Sequence, residues 1–325
     1  MLFRSPSYLI TGGCGFIGSH LADRLLAQGH RVRILDNLST GSLDNVPSQC
    51  EVQIGDVTRS EQVQSAMEGM DGCFHLAAIA SVQQSIEEWS ETHRVNVTGT
   101  VNVLDAARKG KRPVVYASSA AVYGDNADMP LRESAAIRPL TAYGADKASS
   151  EMHARVASLV HGVPTIGMRF FNVYGPRQNP SSPYSGVISI FVDRMLRGKK
   201  RLDIFGDGLQ TRDFVYVSDV VDALCMGMQQ VSTNPAVFNV CTGKETSILQ
   251  LAQTLTMITR SRVELVHEPK RYGDIRISIG DPKSLKRALG VQPQTGLAQG
   301  LRALIDAVFN EIAVEQVPLL SQSGS

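Results

Sequence analysis

The feature that most constrains this chain is an alternation, through its first half, of short apolar runs with helical stretches. Tyr8-Leu9-Ile10, Val32-Arg33-Ile34-Leu35, Val52-Gln53-Ile54, Cys73-Phe74-His75-Leu76 and Val114-Val115-Tyr116-Ala117 each read as a strand bounded by Gly, Asp or Ser. Helical patterns lie between them, for example over 17–28 and 95–109. Such alternation predicts an α/β fold, a doubly wound parallel sheet with helices on both faces. Thr165–Phe170 reads as a sixth strand, following a helix that begins near Tyr143. From about Tyr174 the pattern turns irregular, with Pro176, Pro180 and Pro183 among many Ser and Gly, and reads as a loop-rich binding region instead of further sheet. The stretches 214–225 and 236–241 are expected to rejoin the first unit. The expected division is therefore 1–173 for the sheet domain, 174–317 for a smaller C-terminal binding domain, and 318–325 for a frayed tail. No internal repeat is evident.

Composition narrows the function classes. The 325 residues carry 32 basic and 31 acidic side chains, a net charge of +1. No basic excess calls for nucleic acid, so an anionic small ligand would have to be met by local arginines. The cluster Lys199-Lys200-Arg201 reads as a solvated loop. Five cysteines (Cys14, Cys50, Cys73, Cys225, Cys241) never fall at CxxC spacing, which argues against a disulfide framework or a metal site and fits a reducing compartment. No secretory leader is read in residues 1–7, and no stretch approaches the roughly 20 apolar residues of a membrane span. A cytoplasmic protein is expected.

Gly12, Gly15 and Gly18 follow the first strand and open a helix. Glycines there permit a tight turn and close backbone approach, so that a pyrophosphate can rest on the N–H groups at the helix start. The second strand ends in Asp36, 18 residues past Gly18. A carboxylate at that point can accept from the adenosine ribose hydroxyls and would repel a 2′-phosphate, so NAD is favoured over NADP. This makes the sheet Rossmann-type.

Tyr143 and Lys147 stand at i and i+4, on one face of a helix. A free phenol, with a pKa near 10, is a poor base at neutral pH. A neighbouring ammonium and a positive nicotinamide ring both favour the phenolate, so Tyr143 is expected to titrate low enough to take a hydroxyl proton. Ser118-Ser119 end the preceding central strand. Open parallel sheets bind ligands at the carboxyl ends of their strands, which places Ser119 to bond the reacting oxygen and exchange a proton with Tyr143.

Taken together these residues resemble the extended short-chain dehydrogenases/reductases, and within them the NAD-dependent nucleotide-sugar epimerases. The likeness runs from Tyr8 to about Leu289. It implies cofactor contacts from Phe16 and Ile17 in the glycine loop, from Asn37 after Asp36, and from Asp56 and Val57 in Gly55-Asp56-Val57. Ala77 and Ala78 in His75-Leu76-Ala77-Ala78, and Phe170, complete that set, while Lys147 holds the nicotinamide ribose. Asn96 is implied to be structural, and His20 and His75 to be satisfied turn or core histidines. On the substrate side the resemblance implies Ser118 and Ser119 at the sugar, Asn172 in Arg169-Phe170-Phe171-Asn172, Val187 at the diphosphate through its backbone, and Phe205 at the uracil. Arg212 and Arg271 would take the pyrophosphate, as suits planar bidentate donors, and Asp274 the ribose. Gln83-Gln84 and Trp89 depart from what relatives often carry, Arg and Pro.

The pair after Ser119 separates the family's reactions. Nucleotide-sugar 4,6-dehydratases carry Asp-Glu there and the related decarboxylases tend to carry Glu; this chain has Ala120-Ala121. The implied reaction is 4-epimerisation of a UDP-sugar through a 4-keto intermediate. Ser278, four residues past Asp274, stands beside the C2 substituent in the related epimerases, where a Tyr would crowd an N-acetyl group. N-acetylated UDP-glucose and UDP-galactose are therefore expected beside the plain pair. Asn179 stands where relatives that bind a uronate carry Arg. The resemblance also implies a homodimer, its helices 95–109 and 143–161 forming a four-helix bundle with Val101, Leu104, Met152 and Val156 on the outer face. Two other readings stay open: a non-catalytic dinucleotide-binding scaffold, and an oxidoreductase that releases NADH.

Overall fold

In the computed structural model, which describes residues 4–180, 186–270 and 274–315, strand follows helix through the first half. The order is β1 (Ser7–Thr11), α1 (Phe16–Ala27), β2 (Arg31–Asp36), β3 (Glu51–Ile54), α2 (Ser60–Met67) and β4 (Gly72–His75). Then come α3 (Val82–Glu87), α4 (Trp89–His93), α5 (Gly99–Arg108), β5 (Val114–Ser119), α6 (Ala142–His161) and β6 (Thr165–Phe170). The second half runs β7 (Asn172–Tyr174), α7 (Val187–Leu196), β8 (Arg201–Phe205), β9 (Thr211–Arg212), β10 (Phe214–Tyr216), α8 (Val217–Gln230) and β11 (Ala236–Val240). It closes with β12 (Thr246–Ser247), α9 (Ile248–Thr259), β13 (Glu264–Glu268), β14 (Ile277–Ser278), α10 (Lys283–Leu289) and α11 (Leu297–Glu315).

Seven strands form one parallel sheet in the order β11-β6-β5-β4-β1-β2-β3. Neighbouring strand residues point to opposite faces, and the sequence supplies an apolar side chain for each. Leu9, Leu35 and Cys73 face one core with α2, α5 and α6. Ile10, Ile34 and Phe74 face the other with α1 and α8. The order in which strands are added reverses between β1 and β4, and at such a switch point the crevice at the strands' carboxyl ends holds a ligand. β11 and β3 are the sheet's edge strands, and α8 and α10 pack onto the same face as α1. Leu285 and Leu289 of α10 belong to that core, a return of the chain that its sequence does not announce.

Three local expectations are corrected. The helix expected over 95–109 is built from α4, a π-helical turn over Arg94–Thr98, and α5. The region after Tyr174 is less irregular than it reads: α7, α9 and α11 surround a third core containing Ile188, Phe191, Leu251 and Leu301. Small sheets β13-β8, β10-β7 and β12-β9-β14 complete it. Their strands are two to five residues long and pair with partners distant in sequence, so no periodicity could reveal them. Leu104, expected on an outer face, is buried between α5 and the sheet. Val101, Met152 and Val156 are exposed. Among the described residues no helix is long and apolar enough to cross a membrane.

Candidate active site

The crevice begins where β1 ends. Gly12 has φ 73°, and a Cβ there would lie 2.7 Å from the Ala77 nitrogen. A Cβ on Gly18 would lie 2.2 Å from the Gly12 carbonyl oxygen. Loop, β4 and α1 therefore pack backbone against backbone, which only glycine permits. Gly15 caps α1 without a side-chain bond, so the first N–H groups of the helix, on Phe16, Ile17 and Gly18, are presented to an anion. Asp36 ends β2 nearly buried. Its Oδ2 accepts from the Cys14 N–H at 2.9 Å and its Oδ1 from Leu38 N–H at 2.8 Å. That fixes the carboxylate beside the glycine loop with lone pairs to spare for ribose hydroxyls.

Asn37 is exposed at the tip of β2, and its side chain bonds Asp56 beyond β3. Burial works to raise the Asp56 pKa, but the Thr58 N–H and hydroxyl, Arg94 and Asn37 outweigh it and hold the group ionised below the usual range. Val57 is turned into the core, and its carbonyl accepts from Asn102 at 2.9 Å. Ala77 and Ala78 are part-buried along the crevice, and Phe170 ends β6 opposite Ser119. The glycine cradle, the uncapped helix start and the seated Asp36 together fit NAD. His20 bonds the Pro176 carbonyl, and His75 lies between Thr11 and Thr100. Asn96 both donates to and accepts from the Ile79 backbone, steadying the loop after β4.

At the carboxyl end of β5, Ser119 Oγ accepts from Ala121 N–H at 3.1 Å, and the Ser119 side chain hydrogen-bonds the Tyr143 phenol. Thr141 caps α6 by accepting from Gly144 N–H, which presents Tyr143 in the first turn. One turn on, Lys147 Nζ lies 5.8 Å from the Tyr143 ring centre and donates to the Ala117 carbonyl at 3.0 Å. Hydroxyl, phenol and ammonium thus share one site. Burial pushes the Tyr143 pKa up, and the Ser119 bond only partly opposes it. Lys147 by itself does not offset that burial; the expected lowering of the phenol rests on the positive nicotinamide ring as well as on the lysine. Burial also lowers Lys147 to about 8, against the opposing pull of Asp146 and Glu151.

Ser118 is placed differently from the expectation. It is 2% exposed and donates to Glu151 Oε1 at 2.5 Å, on the strand face opposite Ser119, where a sugar cannot reach it. It belongs to a buried network that sequence reasoning missed. Arg169 grips Glu151 with two bonds of 2.8 and 2.7 Å and donates to Tyr123 Oη at 2.8 Å. Tyr123 in turn donates to Asn239 on β11 at 2.6 Å. The available signal was Glu151, four residues past Lys147 on the same helix face.

The outer wall gathers most of the remaining candidates. Asn172 is exposed on β7, its backbone N–H bonded to the Asp213 carbonyl at 3.0 Å. Val187 is the first residue of α7, whose N-cap is Gly186. Phe205 ends β8. Register sets Ser278 opposite Arg212, and Arg212 is ion-paired with Asp274, so these three form one cluster. Arg271 lies outside the described residues, as do 1–3, 181–185 and 316–325. Asp213, wholly buried, accepts from Thr242 and Gly243 and ties this wall to the end of β11.

Comparison with known proteins follows the same lines. The family model for the NAD dependent epimerase/dehydratase family matches residues 8–241. A putative UDP-glucose 4-epimerase of Methanocaldococcus jannaschii is 36% identical over 93% of this chain and 98% of its own length. A UDP-N-acetyl-alpha-D-glucosaminuronate decarboxylase of Bacillus cytotoxicus is 34% identical over 94% of this chain and 98% of that protein. Among solved structures, UDP-glucose 4-epimerase of Thermotoga maritima with UDP-glucose superposes with a TM-score of 0.91 at 36% identity, covering 94% of this chain and 99% of that one.

Proposed function

Because this chain belongs to the family of NAD dependent epimerases and dehydratases, we propose that it is a UDP-sugar 4-epimerase acting through a 4-keto sugar. The observation that carries this reading is the end of β5: Ser119 is bonded to Tyr143 beside Lys147, and the turn that follows begins Ala120-Ala121. A 4,6-dehydratase needs an acid and a base there to expel water, and two methyl side chains supply neither. The same deficit counts against decarboxylation, the activity in the name of one relative.

Tyr143 Oη takes the C4 hydroxyl proton while Ser119 holds that oxygen, and the proton later returns the same way. Bound NAD supplies the hydride acceptor and, once reduced, the donor. Gly12, Gly15, Phe16, Ile17, Gly18 and Asp36 would hold its pyrophosphate and adenosine ribose, with Asn37, Asp56, Val57, Ala77, Ala78 and Phe170 along its length. Lys147 fixes its other ribose and keeps positive charge near the phenol. Residues 1–173, with 214–241, form the cofactor half. Residues 174–317 mainly form the sugar-nucleotide half, where Val187, Phe205, Arg212, Arg271 and Asp274, with Asn172 just before it in the chain, bind the UDP moiety. The small Ser278 leaves room for an N-acetyl group. A homodimer through the outer faces of α5 and α6, working in the cytoplasm, completes the reading; the five free cysteines suit a reducing compartment.

The test is to incubate the protein with UDP-glucose, UDP-galactose and their N-acetylated forms and to separate the products. Interconversion within each pair, with no net change in nicotinamide absorbance, is expected. Accumulated NADH would make the chain a dehydrogenase, released CO2 from a UDP-uronate would make it a decarboxylase, and no turnover would leave a dinucleotide-binding scaffold.

A further inference from the structure

One buried charge beside the reacting groups has no part in the chemistry described so far. Asp146 stands between Tyr143 and Lys147 in sequence, and its side chain is only 6% exposed. Oδ1 lies 2.9 Å from His93 Nδ1 on α4, while Oδ2 is buried without a hydrogen-bond partner. Burying a carboxylate with one oxygen unpaired is costly unless something else gains from its charge. We propose that Asp146, anchored by His93, is a positioning residue that keeps Lys147 as the ammonium on which Tyr143 and the cofactor ribose depend. The proposal rests on the catalytic role given above to Lys147.

Among the described residues, the surroundings leave Asp146 as the carboxylate free for this task. Glu151 is also close enough to act on Lys147, but its two oxygens are occupied by Arg169 and Ser118. On α4 and the turn after it, Glu91 and Arg94 are paired with each other. On α5, Asp105 and Arg108 pair likewise. At the end of α3, Glu87 and Glu88 accept from Gln83 and Gln84 on the exposed side. His75 on β4 is held neutral by burial and by Lys147 itself, its pKa lowered to about 3. Tyr116 on β5 and Tyr123 in the turn after it are phenols that burial pushes well above the neutral range. His93, whose ring is 57% exposed, fixes the Asp146 carboxylate from the solvent side. Lys147 is buried and lowered to about 8 by that burial, with the charges of Asp146 and then Glu151 opposing it. Removing that charge must lower it further.

The experiment titrates Lys147 directly. Protein labelled at the lysine ε-carbon is followed by NMR against pH, with the Lys147 signal assigned from Lys147→Arg, in wild type, Asp146→Asn and Asp146→Glu; thermal melts confirm that each variant is folded. Asp146→Asn should move the Lys147 midpoint down by about one pH unit or more, and the alkaline limb of kcat/KM should move with it. Asp146→Glu should restore both. An unchanged midpoint in a folded Asp146→Asn variant overturns the proposal, as does a changed midpoint that Glu fails to restore. If wild type interconverts no UDP-sugar, the functional reading fails on its own, while the titration still decides whether Asp146 holds the charge of Lys147.

Discussion

At the scale of single residues, the site depends on three polar atoms whose order along the chain is Ser119, Tyr143, Lys147. Tyr143→Phe removes the proposed proton carrier but keeps the ring in its buried place, so kcat should fall by about 10²–10⁴-fold while the melting temperature and bound NAD are retained. Ser119→Ala should cost less, because water can reach the half-buried hydroxyl position; steady-state kinetics on one sugar pair gives both numbers, and the reverse ranking would exchange the two roles. Lys147 must be charged, and its pKa is lowered to about 8. The ammonium is therefore present below that value and lost above it, so kcat/KM should decline as pH rises through about 8. Ser278→Tyr should depress turnover of the N-acetylated pair while sparing UDP-galactose. Equal loss on both pairs would assign the pocket to another side chain.

At the scale of elements, the glycine loop and the β5–α6 junction are held by different physics. The loop is a close backbone contact. Gly18→Ala puts a methyl group against the Gly12 carbonyl, and overpacking of that kind costs about 1–3 kcal/mol. Loss of co-purifying NAD together with a lower melting temperature is expected. The junction is held by charge. Arg169→Met leaves the buried Glu151 carboxyl without its cationic partner between α6 and β6, which should cost about 3–5 kcal/mol. Urea denaturation measures it, and a change under 1 kcal/mol, roughly the value of an exposed pair, would show that water reaches the network. Both elements were partly legible beforehand. The glycines and Y-x-x-x-K spacing are local patterns, whereas Glu151, Arg169, Tyr123 and Asn239 meet across four separate elements and leave no common period in the sequence.

At the scale of the whole molecule, α6 carries a run of outward apolar side chains, Met152, Val156, Leu159 and Val160, with Val101 on α5. A chain that leaves such a stripe in water has a reason to bury it against its own copy. We expect a dimer in light scattering at micromolar concentration, converted to monomer by Met152→Lys with Val156→Glu. A wild-type monomer would remove the four-helix interface from the account. Leu104 belongs to no such surface, since it packs inward with Val103.

The sequence by itself determined the repeating layer of the fold and the candidates for the reacting groups, because both are written in short-range spacing. Strand alternation, the glycine triplet with Asp36, and Tyr143 one helical turn before Lys147 need no knowledge of distant contacts. Tertiary structure alone decided the rest. It turned Ser118 away from the crevice onto Glu151, returned α10 to the core of the first sheet, and paired Arg212 with Asp274. It also set the ionisation of the site, since burial raises Tyr143 and lowers Lys147. The physical reason is the same in each case: desolvation and long-range pairing depend on what encloses a residue, and a linear pattern does not record its enclosure.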